Sequence, residues 1–325
     1  MDENRLRTAT TELYTHAAHE PDRTLCCVGS APYRARDLVI PPIMEEMNYG
    51  CGSCVAPADV PPDGTVLYLG VGGGLELLGF AHLTRRPHAV IGIDTVDAML
   101  ERCRQNIEEA ARLNPWFSPD FIDLRRGDAL DLPVDDASVQ VVAQNCLYNI
   151  FEDEELDRAL QEAHRVLAPG GRLVLSDPIC ETPLPPSVRE DPQLRAACLS
   201  GALPLRDYTA RLTKAGFGVI EIRSRRPYRA LVPGRHAVEQ PILLETIEAA
   251  AVKSPLEDDG PCVFTGRCAI YMGEEEFFDD GRGHRLRRDL PLEVCDKTAA
   301  ALASIGGDDL IVTPPTWHYQ GGGCC

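Results

Sequence analysis

Thirteen cysteines stand in a chain of 325 residues, and several are grouped: Cys26-Cys27, Cys51-x2-Cys54, Cys262-x5-Cys268 and the final Cys324-Cys325. Isolated cysteines are ordinarily small buried hydrophobes, whereas clustered thiols bind something soft and sulfur-seeking. The thiolate is the ligand, and an unperturbed thiol of pKa ~8.5 is only a few per cent ionised at neutral pH. A site must therefore lower that value or shed the proton on binding. The opening segment MDENRLRTATTELY lacks an apolar signal-peptide core. The expectation is a cytoplasmic protein whose cysteines are reduced thiols rather than a disulfide scaffold.

A second chemistry is written in Leu69-Gly70-Val71-Gly72-Gly73-Gly74, which ends an apolar run and opens a helical one. Without a Cβ, Gly70, Gly72 and Gly74 let the backbone turn sharply and approach a ligand closely. Asp94 follows twenty residues after Gly74, where a carboxylate can accept hydrogen bonds from a ribose diol. Asp128, preceded by Gly127 and followed by Ala129, is placed to meet an adenine amino group. Such a turn is shared with dinucleotide enzymes. Asp128 and the segment Gln144-Asn145-Cys146 favour S-adenosylmethionine instead, with Asn145 beside the cofactor.

These residues need a frame. TVLYLG (65–70), HAVIGID (88–94), FIDLRRGD (121–128), SVQVVAQN (138–145) and GRLVLSDP (171–178) read as strands. Between them, 75–83, 96–113 and 154–167 carry apolar residues at helical spacing, the last closed by Pro169-Gly170-Gly171. This alternation predicts an α/β fold: a Rossmann-like, class I methyltransferase parallel sheet, with a smaller C-terminal α+β region. The expected divisions are a Cys-containing segment (1–60), a cofactor domain (61–227) with an insertion around 179–205, a C-terminal domain (228–320) and a Gly-Cys tail (321–325). With 44% hydrophobic and 25% charged residues the chain can bury an ordinary globular core. Its net charge of −18 repels phosphate backbones and anionic lipid, so neither nucleic acid nor membrane is an expected partner.

The cysteine-bearing segments resemble the arsenite S-adenosylmethionine methyltransferases. MNYGCGSC (47–54) looks like that family's Tyr-Gly-Cys-Gly motif, and SVQVVAQNCLYNI (138–150) like its fourth-strand motif. LRAACLSGALPLRDY (194–208), GRCAIYMG (266–273) and LPLEVCDKTAAAL (290–302) match further family segments. The resemblance implies methyl transfer from S-adenosylmethionine to As(III) held by cysteine thiolates, with Cys51 and Cys198 as arsenic ligands. It also implies that Cys26 or Cys27 forms a disulfide during turnover, and that a thioredoxin- or glutathione-type reductant resets the enzyme. Arsenite exchanges its hydroxyls for sulfur, and three converging thiolates would leave arsenic one lone pair for in-line attack on a sulfonium methyl.

The chain departs from the family pattern in two places. Tyr68 stands where an acidic residue usually opens the glycine turn, and 228–250 holds no cysteine where the remaining arsenic ligand is expected. Cys262 is the preferred replacement because its Asp-Gly-Pro lead-in suggests an accessible turn, with Cys268 as the alternative. Cys103, within a helix, and Cys146, after a buried strand, read as core or wall residues; Cys180 and Cys295 read as structural. The Gly-Gly-Gly-Cys-Cys tail is a flexible leash that could capture arsenic and resembles that of the arsenosugar-forming branch. Two other readings compete. A methyltransferase for a small organic acceptor would need a general base, and no His or Glu stands out on the strand ends. A thiol-rich zinc protein would join Cys51-x2-Cys54 to Cys262-x5-Cys268.

Overall fold

The alternation of strand and helix builds one large sheet in the computed structural model, which describes residues 3–22, 25, 32–253, 262–280, 283–305 and 307–317. Cys26, Cys27, Cys324 and Cys325 lie outside the described residues. Two helices come first, α1 (Glu3–His19) and the short α2 (Pro42–Glu46). Then follow β1 (Val66–Leu69), α3 (Leu75–Thr84), β2 (Val90–Asp94), α4 (Asp97–Leu113), β3 (Ile122–Arg126) and β4 (Val139–Asn145). After α5 (Asp153–Val166) comes β5 (Leu167–Cys180). β1 to β5 are parallel, and β1 is buried along its whole length, as a strand covered by helices on both faces must be.

The helices show why they pack. α4 buries Met99, Leu100, Cys103, Ile107 and Ala110, a stripe at spacings of three and four. α5 opens with a capping box, in which Glu152 accepts from the helix backbone and Glu155 bonds back to the Glu152 N–H. It buries Leu156, Ala159, Leu160, Ala163 and Val166 against the sheet.

The strand order is β3-β2-β1-β4-β5 and continues past β5. Connections turn one way from β1 to β2 and the other way to β4, so the carboxyl ends of β1 and β4 flank the switch point where open α/β sheets bind ligands. Beyond β5 come two short helices, α6 (Pro186–Arg189) and α7 (Pro192–Ala196), then β6 (Leu203–Pro204), α8 (Leu205–Lys214), β7 (Phe217–Leu231) and β8 (Ile242–Lys253). β8 runs antiparallel between β5 and β7, and β9 (Cys262–Val263) pairs with the outer edge of β7. The boundary expected at 227 is therefore corrected: it falls inside β7, and the sheet extends through 253. The alternating pattern missed this because β8 enters as a hairpin strand with no helix before it.

The smaller C-terminal unit is α+β. β10 (Arg267–Tyr271) is flanked by β13 (Leu292–Val294) and β14 (Leu310–Val312), while β11 (Phe277–Asp279) pairs with β12 (Arg285–Arg287). Helix α9 (Asp296–Ile305) packs on this sheet, and Ala269, Tyr271, Leu286, Val294, Ala299 and Leu302 form their shared core. No helix among the described residues is long and apolar enough to cross a membrane.

Candidate active site

The glycine turn floors an open cleft at the switch point, where Gly70, Gly72, Asp94, Asp128 and Asn145 line one continuous surface. Gly70, Gly72 and Gly74 adopt φ of 78°, 50° and 89°, in the left-handed region that a Cβ disfavours. Asp94, at the end of β2, lines the cleft and accepts from the N–H groups of Val71 (3.1 Å) and Val96 (2.9 Å). Burial pushes its carboxyl up to about 6 against those hydrogen bonds. Asp128 and Ala129 also line the cleft; Asp128 accepts from Leu130 N–H (3.0 Å) and pairs with Arg7 (3.2 Å). Arg7 belongs to α1 and also binds Glu155 (2.8 Å), so α1 spans the mouth, with Thr10 and Tyr14 facing in.

Cys146 lines the other end of the cleft, and two further thiols meet it there. Cys51, Cys146 and Cys198 pack together, each 6% exposed or less. The Cys198 thiol donates to the Cys146 carbonyl (2.7 Å), and the Cys146 thiol packs beside those of Cys51 and Cys198. Those neighbouring sulfurs, with burial, hold the Cys146 thiol well above its ordinary range. Cys146 and Cys198 sit at φ of 65° and 58°, a conformation costing a non-glycine residue on the order of 1 kcal/mol or more. Backbone strain at two of three clustered thiols marks a position imposed by the surrounding fold. The Cys146 turn is held from below. Its N–H donates to Ser176 O (2.7 Å), and Gln144 and Asn149 both donate to the buried Asp177, which Tyr208 OH also reaches (2.6 Å).

Asn145 joins the two ends. Its Oδ1 accepts from the N–H groups of Cys51 (2.9 Å) and Gly52 (3.3 Å), while Nδ2 donates to Gly52 O (2.8 Å) and Glu76 (2.7 Å). A Cβ on Gly50 would stand 2.1 Å from Asn145 Nδ2, so glycine is required for this approach. Glu76 lines the cleft; burial raises its pKa, opposed by hydrogen bonds from Asn145 and Tyr68. The carboxylate missing at Tyr68 is thus supplied from the first turn of α3.

The structure brings Cys51 and Cys198 together, as expected, but joins neither Cys262 nor Cys268 to them. Cys262 pairs with Val219, which pairs with Val252 on β8; Cys51 meets β8 at Thr246, roughly 20 Å along the strand. Cys268 lies in the separate sheet of β10, its N–H bound to Thr313. The third thiol of the cluster is Cys146, a buried wall residue of the cleft as expected, and the placement expected of Cys262 is corrected. The signal was available, since Cys146 follows Asn145 at the end of the strand bordering the switch point. The zinc arrangement fails for the same reason, because its two halves are far apart. Among the described residues no group of three or more His, Cys, Asp or Glu stands ready-made to hold a metal ion. The clustered sulfurs pack together and bond to neighbouring oxygens, and must turn inward to share one atom. Cys103 lies behind the turn, 3.0 Å from where a Gly74 Cβ would be, and Cys180 and Cys295 are buried.

A family model described as a methyltransferase domain matches residues 67–175. The chain is 34% identical over 177 residues to an arsenite methyltransferase of Halobacterium salinarum, covering 54% of this chain and 43% of that one. It is 32% identical over 196 residues to an arsenite methyltransferase of Aquipseudomonas alcaligenes, covering 59% and 55% respectively. The chain therefore spans about half the length of these curated relatives. A solved arsenic(III) S-adenosylmethionine methyltransferase from Chlamydomonas reinhardtii matches with a TM-score of 0.59 and 27% identity, covering 86% of this chain and 95% of that one.

Proposed function

Because the chain belongs to the arsenite S-adenosylmethionine methyltransferase family, we propose that it methylates trivalent arsenic held by Cys51, Cys146 and Cys198. The observation that carries this reading is the meeting of three buried thiols at the end of the cofactor cleft. The cleft fits S-adenosylmethionine. The glycine turn offers backbone without side chains, Asp94 would hold the ribose, and Asp128 with Ala129 would hold the adenine. Glu76 and Asn145 would hold the cationic methionine arm.

The three thiols do the chain's share of the chemistry. Each gives its proton to a hydroxyl of arsenite, which leaves as water while an As–S bond forms. No free thiolate needs to accumulate, so the raised pKa of Cys146 is no obstacle. Sulfur ligation leaves one lone pair on arsenic, and the cluster's place beside the cleft aims it. When bound, S-adenosylmethionine supplies a sulfonium methyl carbon whose bond to sulfur breaks, the pair staying on sulfur, as the As–C bond forms.

Arsenic then carries a positive charge and needs two electrons to become trivalent again. Two thiols supply them by joining as a disulfide, with Cys26 or Cys27 contributing one sulfur. Thioredoxin or glutathione then returns the disulfide to thiols, in keeping with the reducing cytoplasm. The tail cysteines Cys324 and Cys325 are proposed to capture arsenic for the site. In this reading 1–60 delivers Cys51, the sheet through 253 holds the cofactor, and residues after 262 form an accessory unit. The test is incubation of reduced protein with methyl-labelled S-adenosylmethionine, arsenite and a dithiol, followed by arsenic speciation. Labelled methylarsenicals are expected, and their absence with the cofactor bound refutes the proposal.

A further inference from the structure

Cys51 differs from its two neighbours in what its sulfur touches. Thr246 Oγ1 donates to Cys51 Sγ at 3.2 Å, and Ser176 Oγ lies 3.4 Å from the same atom. The sulfur of Cys198 instead meets the Cys146 carbonyl and, at 3.8 Å, the Tyr14 hydroxyl. Ser176 and Thr246 are fully buried and come from adjacent strands, β5 and β8, in one antiparallel register. The backbone makes room for them: a Cβ on Gly52 would sit 2.2 Å from Ser176 Oγ. Ser176 also ties down the second thiol, its carbonyl accepting the Cys146 N–H. Two buried hydroxyls thus converge on one sulfur, away from water that could do the same work.

We propose that Ser176 and Thr246 are positioning residues that fix Cys51 Sγ for the capture of arsenic, Thr246 by donating its O–H to the sulfur and Ser176 by sharing a hydrogen bond with it. In the capture step the Cys51 sulfur forms the S–As bond as one As–O bond breaks. The departing hydroxide takes the Cys51 proton and leaves as water. Capture of arsenic rests on the proposed function; the action of the hydroxyls on Cys51 does not.

The experiment separates the two. Full-length reduced protein, unaltered or carrying Ser176→Ala, Thr246→Val or Thr246→Ser, is treated with iodoacetamide at one fixed pH. Alkylation of Cys51 is quantified by peptide mass spectrometry, with Cys198 in the same molecule reporting how often the buried site opens. Arsenite and S-adenosylmethionine affinities are measured in parallel. Thr246→Val keeps the shape and removes the hydroxyl, and either it or Ser176→Ala suffices if the other fails to fold. The alkylation rate of Cys51 relative to Cys198 is expected to change about fivefold in each as the sulfur is released, and arsenite affinity to fall about fivefold. S-adenosylmethionine affinity stays unchanged and Thr246→Ser behaves as the parent. An unchanged rate ratio in folded Thr246→Val and Ser176→Ala overturns the proposal. A changed ratio in the variants of a parent that takes up no arsenite upholds the hydroxyl role but overturns both arsenic capture and the proposed function.

Discussion

Replacing Asn145 with alanine removes four hydrogen bonds from the join between thiol and cofactor ends. Three of them hold the backbone at Cys51 and Gly52, and at about 1 kcal/mol each they sum to ~3 kcal/mol for the placement of that loop. That is on the order of a hundredfold in the population of loops that present Cys51 to Cys146 and Cys198, and apparent affinity falls by the same factor. The fourth bond goes to Glu76, so S-adenosylmethionine binding should weaken as well, but less, because the glycine turn and Asp94 are untouched. The assay is calorimetric titration of reduced Asn145→Ala with arsenite and, separately, with S-adenosylmethionine. The expected result is a loss of arsenite affinity approaching a hundredfold. Asn145→Asp adds a sharper test, since it keeps acceptors for Cys51 and Gly52 but sets a carboxylate against Glu76 and the Gly52 carbonyl. It should bind arsenite no better than the alanine variant at neutral pH and improve toward pH 5, as the carboxylate pair takes up a proton. Arsenite binding within about threefold of the parent for Asn145→Ala would refute the argument that this residue positions Cys51.

Three other outcomes follow from particular contacts. Cys262→Ser and Cys268→Ser should leave arsenite affinity and methylation within about twofold of the parent, since the strand register puts Cys262 roughly 20 Å from the cluster; loss of activity would contradict that placement. Arg7→Ala releases Asp128 at a cost of no more than ~1 kcal/mol, the pair being half-exposed. S-adenosylmethionine should then bind a few-fold more tightly by titration, and weaker binding would show that Arg7 contacts the cofactor rather than competing for Asp128. Burial raises Asp94 to about 6 and Asp177 to about 7, so the folded state binds protons more tightly than the unfolded chain, whose carboxyls titrate near ~3.9. Their contribution is fully present below that value and is lost as pH rises through 6 to 7, with a slope of up to about 1.4 kcal/mol per pH unit for each group. Asp177→Asn should flatten the upper part of that fall in urea unfolding measured at stepped pH, and a curve parallel to the parent's would contradict it.

The cofactor half of the site was legible because its signals are local. The glycines of 70–74, the Asp94 spacing and the alternation of apolar runs each reflect one strand–turn–helix unit. The thiol half depends on contacts between residues 52 to 195 positions apart, which periodicity does not report. Cys146 was passed over because its neighbours read as a buried strand end, and the left-handed backbone that turns it toward Cys198 has no sequence signature in a non-glycine residue. Cys262 was favoured on its turn-like lead-in, a local feature that says nothing about which end of the sheet it occupies. β8 escaped for a related reason: ILLETIEAAAVK is an antiparallel insertion into a parallel pattern, and it brings Thr246 and Glu248 to the site. Glu76 shows the opposite lesson. The acid absent at Tyr68 returns eight residues later on the same face of the cleft, a substitution in space that a position-by-position reading does not register.

X-ray absorption at the arsenic edge, on the reduced protein loaded with one equivalent of arsenite, counts the sulfurs bound to arsenic. The account predicts three for the parent chain, two with one oxygen for Cys146→Ser, and three still for Cys262→Ser. An unchanged count in Cys146→Ser, or a sulfur lost in Cys262→Ser, would contradict it.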